Sequence, residues 1–240
     1  MHATTDIPST AVSPFSALIT IFYEPGKTFA GLENRRAPWL PLIAIIASLC
    51  GLFFWFYAIV DFPWLQDKLL AGMPAENRDM AKGGMSKTLL QVSTLVGIII
   101  GMPLMAAIQA LYLMIVAKVG NHAFSFGKGF ALVLWAGMPA ILLLPLGALQ
   151  IMLASNGQLD MSQMNPVSLN QLFFQFPMGH KFASLLDQLS IPTFWSLALT
   201  VIGYQTWAKV SRATAVKVVL IPFIVIYGGW FAFAFMSKAA

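Results

Sequence analysis

Charge is what this sequence has least of. Only 10% of its 240 residues are Asp, Glu, Lys or Arg, whereas 58% are hydrophobic. A soluble domain is about a quarter charged and about half apolar. No water-soluble shape of this size hides so much apolar surface, so an ordinary soluble enzyme is excluded and lipid is the natural solvent. Cysteine is nearly absent. The lone Cys50 rules out an internal disulfide and a cysteine-built zinc site. Cations are missing before Lys27, and the longest early apolar run, 17–23, is broken by Thr20 and leads to no small-residue cleavage site. The sequence thus lacks the parts of a signal peptide, and the first span is expected to target the chain and stay.

What is present is a set of five uncharged stretches: 39–60, 89–117, 129–154, 191–208 and 218–236. A hydrocarbon core of about 30 Å needs about 20 helical residues. Backbone groups in lipid must be satisfied internally, and the runs are too continuous for the alternation of a barrel. The expected fold is therefore an all-α, polytopic membrane bundle of five transmembrane helices preceded by a short segment, 1–38. The fourth stretch is short, with Trp195 and Trp207 near its ends as interfacial anchors; Trp39 opens the first.

Placing the N-terminus inside gives the inner segments Lys27, Arg35, Arg36, Lys118, Lys128, Lys209, Arg212 and Lys217 against Asp6, Glu24 and Glu33. The outer segments then balance six cations with six acids. Short loops rich in Lys and Arg stay inside, so the expected topology is N-in, C-out. The basic pI of about 9.4 is then juxtamembrane charge, which favours anionic lipid and requires no nucleic acid.

Gly26-Lys27-Thr28 ends like a phosphate-binding loop, but Ile21 stands where the first glycine is needed and no strand precedes it. The same region has a helical apolar face instead: Phe15, Leu18, Ile19 and Phe22 fall at i, i+3, i+4 and i+7. After Pro25, Phe29 and Leu32 begin a second edge. An amphipathic helix lying on the inner membrane surface is expected, with Arg35 and Arg36 reaching the headgroups. Two similar stripes occupy the loop between the third and fourth spans: Leu169, Leu172, Phe173 and Phe176, then Phe182, Leu185, Leu186 and Leu189. That loop is expected to rest on the outer surface or cap the bundle as a packed lid, with Asn165-Pro166 as a turn before it.

Intramembrane catalysis or proton coupling requires ionisable side chains, and the five stretches contain no Asp, Glu, His, Lys or Arg. The reading is non-enzymatic, without cofactor or metal. His180, Lys181 and Asp187 read as a solvated loop. Met73, Met80, Met85, Met161, Met164 and Met178 fall in outer loops; Met161-x-x-Met164 has a spacing that suits Cu(I), but flexible apolar filler is the expected role. Gly101-Met102-Pro103 and Gly137-Met138-Pro139 interrupt the second and third spans, where paired breaks can kink helices and border a substrate cavity. Gly97-x-x-x-Gly101 offers a smooth strip for helix packing. Gln91, Ser93, Gln109, Tyr112, Gln150, Thr200, Tyr204 and Gln205 are expected to hydrogen-bond across helices.

Three longer motifs carry a resemblance: "EPGKTF" followed by "RRAPWLPL"; "GNHAFSFGKGFALV" leading to Pro139; and "LLDQLSIPTFWSLALTVIGYQTWAKVSRATAVKVVL". In order and spacing the chain resembles the Yip family, the five-helix membrane domain of Ypt/Rab-interacting proteins, over nearly its whole length. The resemblance implies N-in, C-out topology and a non-enzymatic role. Eukaryotic members carry a longer polar N-terminal region for GTPase contact; the short segment here looks like the bacterial branch, in which some members accompany ABC exporters with a periplasmic adaptor. Three roles follow as expectations. One is an accessory subunit of the bacterial inner membrane docked on a larger membrane complex such as an ABC exporter, with Lys118, Lys128, Lys209, Arg212 and Lys217 as candidate cytosolic contacts and a second copy of the chain as another candidate partner. The others are a small transporter or lipid-handling protein working at the kinked helices, and a membrane-shaping protein acting through its interfacial helices.

Overall fold

The computed structural model describes residues 13–154 and 156–237; the charges counted at Asp6 and Lys238 lie outside them. Within these residues the chain is helical, apart from one isolated bridge between Ser168 and Ser190. Five helical legs run between two ends. They are α3 (Trp39–Ile59); the run α6 (Lys87–Val96), a π turn (Gly97–Gly101) and α7 (Met102–Val119); the run α8 (Phe126–Ala136), a 3-10 turn (Met138–Leu142) and α9 (Leu143–Leu153); α11 (Ile191–Ala208); and α12 (Arg212–Met236). One end gathers α1 (Pro14–Thr20), α2 (Pro25–Leu32) and the turns around Asn121 and Lys209. The other carries α4 (Phe62–Ala71), α5 (Ala75–Gly84) and a cap that includes α10 (Ala183–Gln188).

Local chemistry fixes where the helices start and stop. Serine side chains cap α6, α8, α11 and α12: Ser86, Ser125, Ser190 and Ser211 each accept a first-turn N–H. Asn121 and Lys209 take left-handed backbone angles just after α7 and α11, ending both helices. Pro103 has no N–H to give the carbonyl four residues back, and the second span widens to a π turn directly before it. Around Pro139 the third span tightens to a 3-10 turn instead. Both expected breaks are therefore present as changes of winding.

Four legs are long and apolar enough to cross a membrane: Trp39–Ile59, Lys87–Val119, Phe126–Leu153 and Arg212–Met236. The fourth expected span, α11, has 18 residues but is not among those four. Its sequence holds Thr200, Tyr204, Gln205 and Thr206, and it packs against α2, α8, α12 and the Met138–Leu142 turn. A helix sheltered by its neighbours does not need a lipid-facing coat. The last leg begins at Arg212, so Arg212 and Lys217 ride on its first turns rather than in the preceding loop.

Two apolar clusters make up the core. The larger joins Ala17, Ile21, Phe29 and Leu32 to Ile45, Trp135, Tyr204 and Trp207. The smaller lies toward the capped end, around Leu52, Phe56, Tyr57, Leu65 and Met164. Where the helices come closest, glycine makes the room: a Cβ on Gly129 would sit 2.9 Å from the Ala110 carbonyl oxygen, and one on Gly147 2.8 Å from Leu52.

Candidate functional site

The N-terminal helices pack against the bundle on one side. The ring of Phe22 meets Trp195 edge-on at 5.4 Å and that of Phe29 meets Trp207 at 5.6 Å. Those tryptophans are twelve residues apart on α11, about 18 Å at 1.5 Å per residue. The α1–α2 hairpin therefore packs lengthwise along the central helix, and the expected face is split. Leu18 and Phe22 pack on the core while Phe15 and Ile19 are exposed. Phe15 stands edge-on to Trp39, itself exposed as an interfacial anchor would be. Fully buried positions are Ala17, Ile21, Thr28, Phe29 and Leu32. The threonine of the phosphate-loop look-alike is in this wall; Thr28 Oγ1 bonds Thr20 Oγ1 at 2.8 Å and donates to the Glu24 carbonyl at 2.9 Å.

Trp207 corrects the anchor assignment. It is 1% exposed, and its indole N–H donates to the Phe29 carbonyl at 2.7 Å. Trp195 is half-buried against Phe22. Trp135, in the third span, does for Arg36 what Trp207 does for Phe29, donating to its carbonyl at 2.6 Å. Two buried indoles thus pin two carbonyls of the N-terminal segment to the bundle, satisfying groups that would be costly to leave unpaired. The pairing joins residues 99 and 178 positions apart in sequence, which no local spacing encodes.

The five candidate contact cations divide into two kinds. Lys128 points inward: its ammonium lies 3.3 Å from Glu33 Oε1 and donates to the Trp207 carbonyl at 3.4 Å, so it holds the hairpin rather than facing a partner. Lys118, Lys209, Arg212 and Lys217 are exposed. Of these, Lys209 lines an open cavity of about 260 Å³ with Asn121, His122, Ala123, Lys128 and Trp207.

Gly97 and Gly101 do not pack against another helix of this chain. A Cβ at either would meet nothing within 4 Å, so the expected packing strip faces outward. Around it, Ile99, Ile100, Leu104 and Met105 are exposed, whereas Ala106, Ala110, Leu113 and Ala117 of the same span face the core. The polar groups behave differently from expectation too. Tyr112 crosses between helices, donating to the Val218 carbonyl at 2.8 Å. Ser93 and Thr200 bond back to carbonyls of their own helices. The Tyr57–Thr94 hydroxyl pair, at 3.1 Å, is a cross-helix bond that the sequence reading missed.

Neither described cavity is lined by Gly101, Pro103, Gly137 or Pro139. Pro139 is buried, and a Cβ on Gly137 would touch Ile45 at 3.5 Å, so packing fills the expected cavity on that side. The second cavity, about 270 Å³, opens in the cap between Met161, Phe176, Met178 and Asp187. Met164 is 2% exposed in the core and Met161 accepts from the Tyr57 hydroxyl at 3.8 Å, so both methionines are packing side chains of the smaller cluster. Nor do His180, Lys181 and Asp187 converge. His180 stacks on Phe176 at 3.8 Å, Lys181 reaches the Phe235 carbonyl, and Asp187 accepts from Asn170 at 2.9 Å. In the cap, Leu172 and Phe173 of the first stripe are exposed, Leu185 of the second is buried, and the other residues of both stripes are half-buried.

No curated protein and no solved structure matches this chain. A family model does: the Yip1 domain matches residues 19–233, from α1 to the last turns of α12. With apolar helices of membrane-crossing length across that match, the chain is an integral membrane protein and belongs to the Yip1 domain family.

Proposed function

We propose that this protein is a non-enzymatic accessory subunit of the bacterial cytoplasmic membrane, oriented N-in and C-out, that docks through its second span onto a larger membrane complex. The observation that carries this reading is the outward Gly97-x-x-x-Gly101 strip, where a Cβ would meet nothing within 4 Å. Small residues let another membrane helix approach to backbone distance, the packing on which association within lipid depends. Glycine has no comparable value against fluid acyl chains and weakens an isolated helix. An ABC exporter working with a periplasmic adaptor is the machine that the family resemblance points to. The transport reading is the weaker one, because the described cavities lie away from both helix breaks.

The test is affinity purification from the native membrane in mild detergent, comparing the wild type with a Gly97→Leu/Gly101→Leu variant. Stoichiometric co-purification of other membrane subunits, lost in the variant while its thermal unfolding is unchanged, supports docking by this face. Recovery of the wild type alone at native expression overturns the proposal. Recovery as a dimer that the variant abolishes reassigns the face to self-association.

A further inference from the structure

The open cavity between the ends of α7 and α11 has a composition that the docking reading does not use. It is lined by Lys128, Lys209, His122 and Asn121, beside Trp207 and Ala208. Two helix C-termini meet here, and bare carbonyls would make the place electronegative. They are not bare. The N–H groups of Gly120, Asn121 and His122 close onto the carbonyls of Val116, Lys118 and Ala117, and Lys128 takes that of Trp207. Glu33 offsets the charge of Lys128 at 3.3 Å. Lys209 has neither an acidic partner nor a side-chain hydrogen bond among the described residues. Lys118, in the last turn of α7, adds positive charge at the same end. The cavity is therefore a concave, polar, net-positive recess.

Its place in the fold says what chemistry reaches it. It opens where α7 and α11 stop, at the α7–α8 and α11–α12 turns, where uncharged helix gives way to Lys118, Lys128, Lys209 and Arg212, the basic border expected of a headgroup region. Basic recesses between helices at this level hold phosphate groups of anionic lipids, where the ammonium groups supply charge and neighbouring amides orient the oxygens. A volume of about 260 Å³ accommodates a phosphate and its first substituents, not a whole nucleotide.

We propose that this cavity is a phosphate site: Lys209 binds a phosphate group, with the Asn121 amide as a further donor, and anionic phospholipid headgroups supply it. The claim is narrower than attraction of a basic surface to an acidic membrane. Lys118 and Arg212 lie at the same end and are exposed, but they do not line the cavity.

The experiment uses the full chain in nanodiscs containing phosphatidylglycerol mixed into phosphatidylcholine, with lipid retention read by native mass spectrometry after gentle release. Lys209→Gln is expected to lower retained phosphatidylglycerol at least fivefold. Ala123→Phe, which plugs the cavity without changing charge, is expected to do the same. Lys118→Gln and Arg212→Gln remove one charge each and are expected to leave retention unchanged. Equal loss in all three charge variants, or full retention in both Lys209→Gln and Ala123→Phe, overturns the proposal. Inorganic phosphate, titrated into protein in neutral detergent and followed by ³¹P line width, separates the sources. Broadening weaker than millimolar fits a lipid headgroup; tight broadening abolished by Lys209→Gln reassigns the phosphate site to a free anion and overturns the lipid assignment.

Discussion

Two glycine-bearing stretches of this molecule put the same residue to opposite uses. On α11, Gly203 faces inward, where a Cβ would stand 2.9 Å from two ring carbons of Phe29. On the second span, Gly97 and Gly101 face outward onto nothing. Both lie in uncharged stretches of helix, yet one glycine lets this chain close on itself and the others leave a face that this chain does not fill. The contrast extends along the second span, whose distal half packs on the third span through Ala110 and Gly129. A membrane helix is thus not uniform along its length: its inward and outward segments have different surroundings, and only the inward ones contribute packing to the isolated chain.

The sharpest way to break the comparison is to attack the inward side. Trp207→Ala removes a buried indole and leaves the Phe29 carbonyl without its donor. The expected cost is about 3–5 kcal/mol, read as a lower midpoint in detergent-denaturation curves. Gly203→Leu forces the Phe29 ring out of its contact with Trp207, with an expected loss of about 1–3 kcal/mol in the same assay. Gly101→Leu is the control on the outward side, with a change of about 0.5 kcal/mol or less. Should Gly101→Leu prove as destabilising as Gly203→Leu, the distinction between the two stretches fails. Lys128→Met removes the partly exposed pair with Glu33 and is expected to cost about 1 kcal/mol or less, with the effect shrinking in high salt.

The smallest effect lies in the cap. Burial pushes the Asp187 carboxyl above its ordinary 3.8; the Asn170 hydrogen bond opposes the rise and the Asp160 charge adds to it. Folding then favours the protonated form, so Asp187 contributes stability below pH 3.8 that is lost as the pH climbs through the raised value. Asp187→Asn keeps an oxygen for Asn170 to donate to and is expected to be slightly more stable than the wild type at neutral pH. The two melting temperatures should converge as the pH falls. A variant less stable at pH 7 would show that the Asn170 hydrogen bond outweighs burial of the charge.

How far the sequence could be read follows from what lipid does to a chain. Lipid penalises charge and unpaired backbone strongly enough that composition along the chain reveals the helices, as it does for Trp39–Ile59 and Lys87–Val119. Proline chemistry is local, so the breaks before Pro103 and around Pro139 could also be read in advance. Direction on a helix surface is another matter. In lipid an apolar side chain is at home facing either way, so periodicity carries little information about which side is buried. Spacing alone therefore marks Trp207 as an anchor although it is core, and marks Gly97 and Gly101 as a packing strip without saying that this strip faces out. The hairpin shows the same limit: the spacing from Phe15 to Phe22 identifies a helix face but not that Leu18 and Phe22 meet the core while Phe15 and Ile19 stay exposed.

The sequence by itself determined that this chain lives in a membrane as a helical bundle of the Yip1 family, because a bilayer reads hydropathy and backbone satisfaction one segment at a time. Only the tertiary structure decided that Phe29, Arg36, Trp135 and Trp207 lock the N-terminal hairpin to the bundle, and that Lys128 turns inward while Lys209 stays open. Those contacts join residues far apart in the chain. They depend on which helix faces meet, a choice that lipid, equally apolar in every direction, leaves to packing.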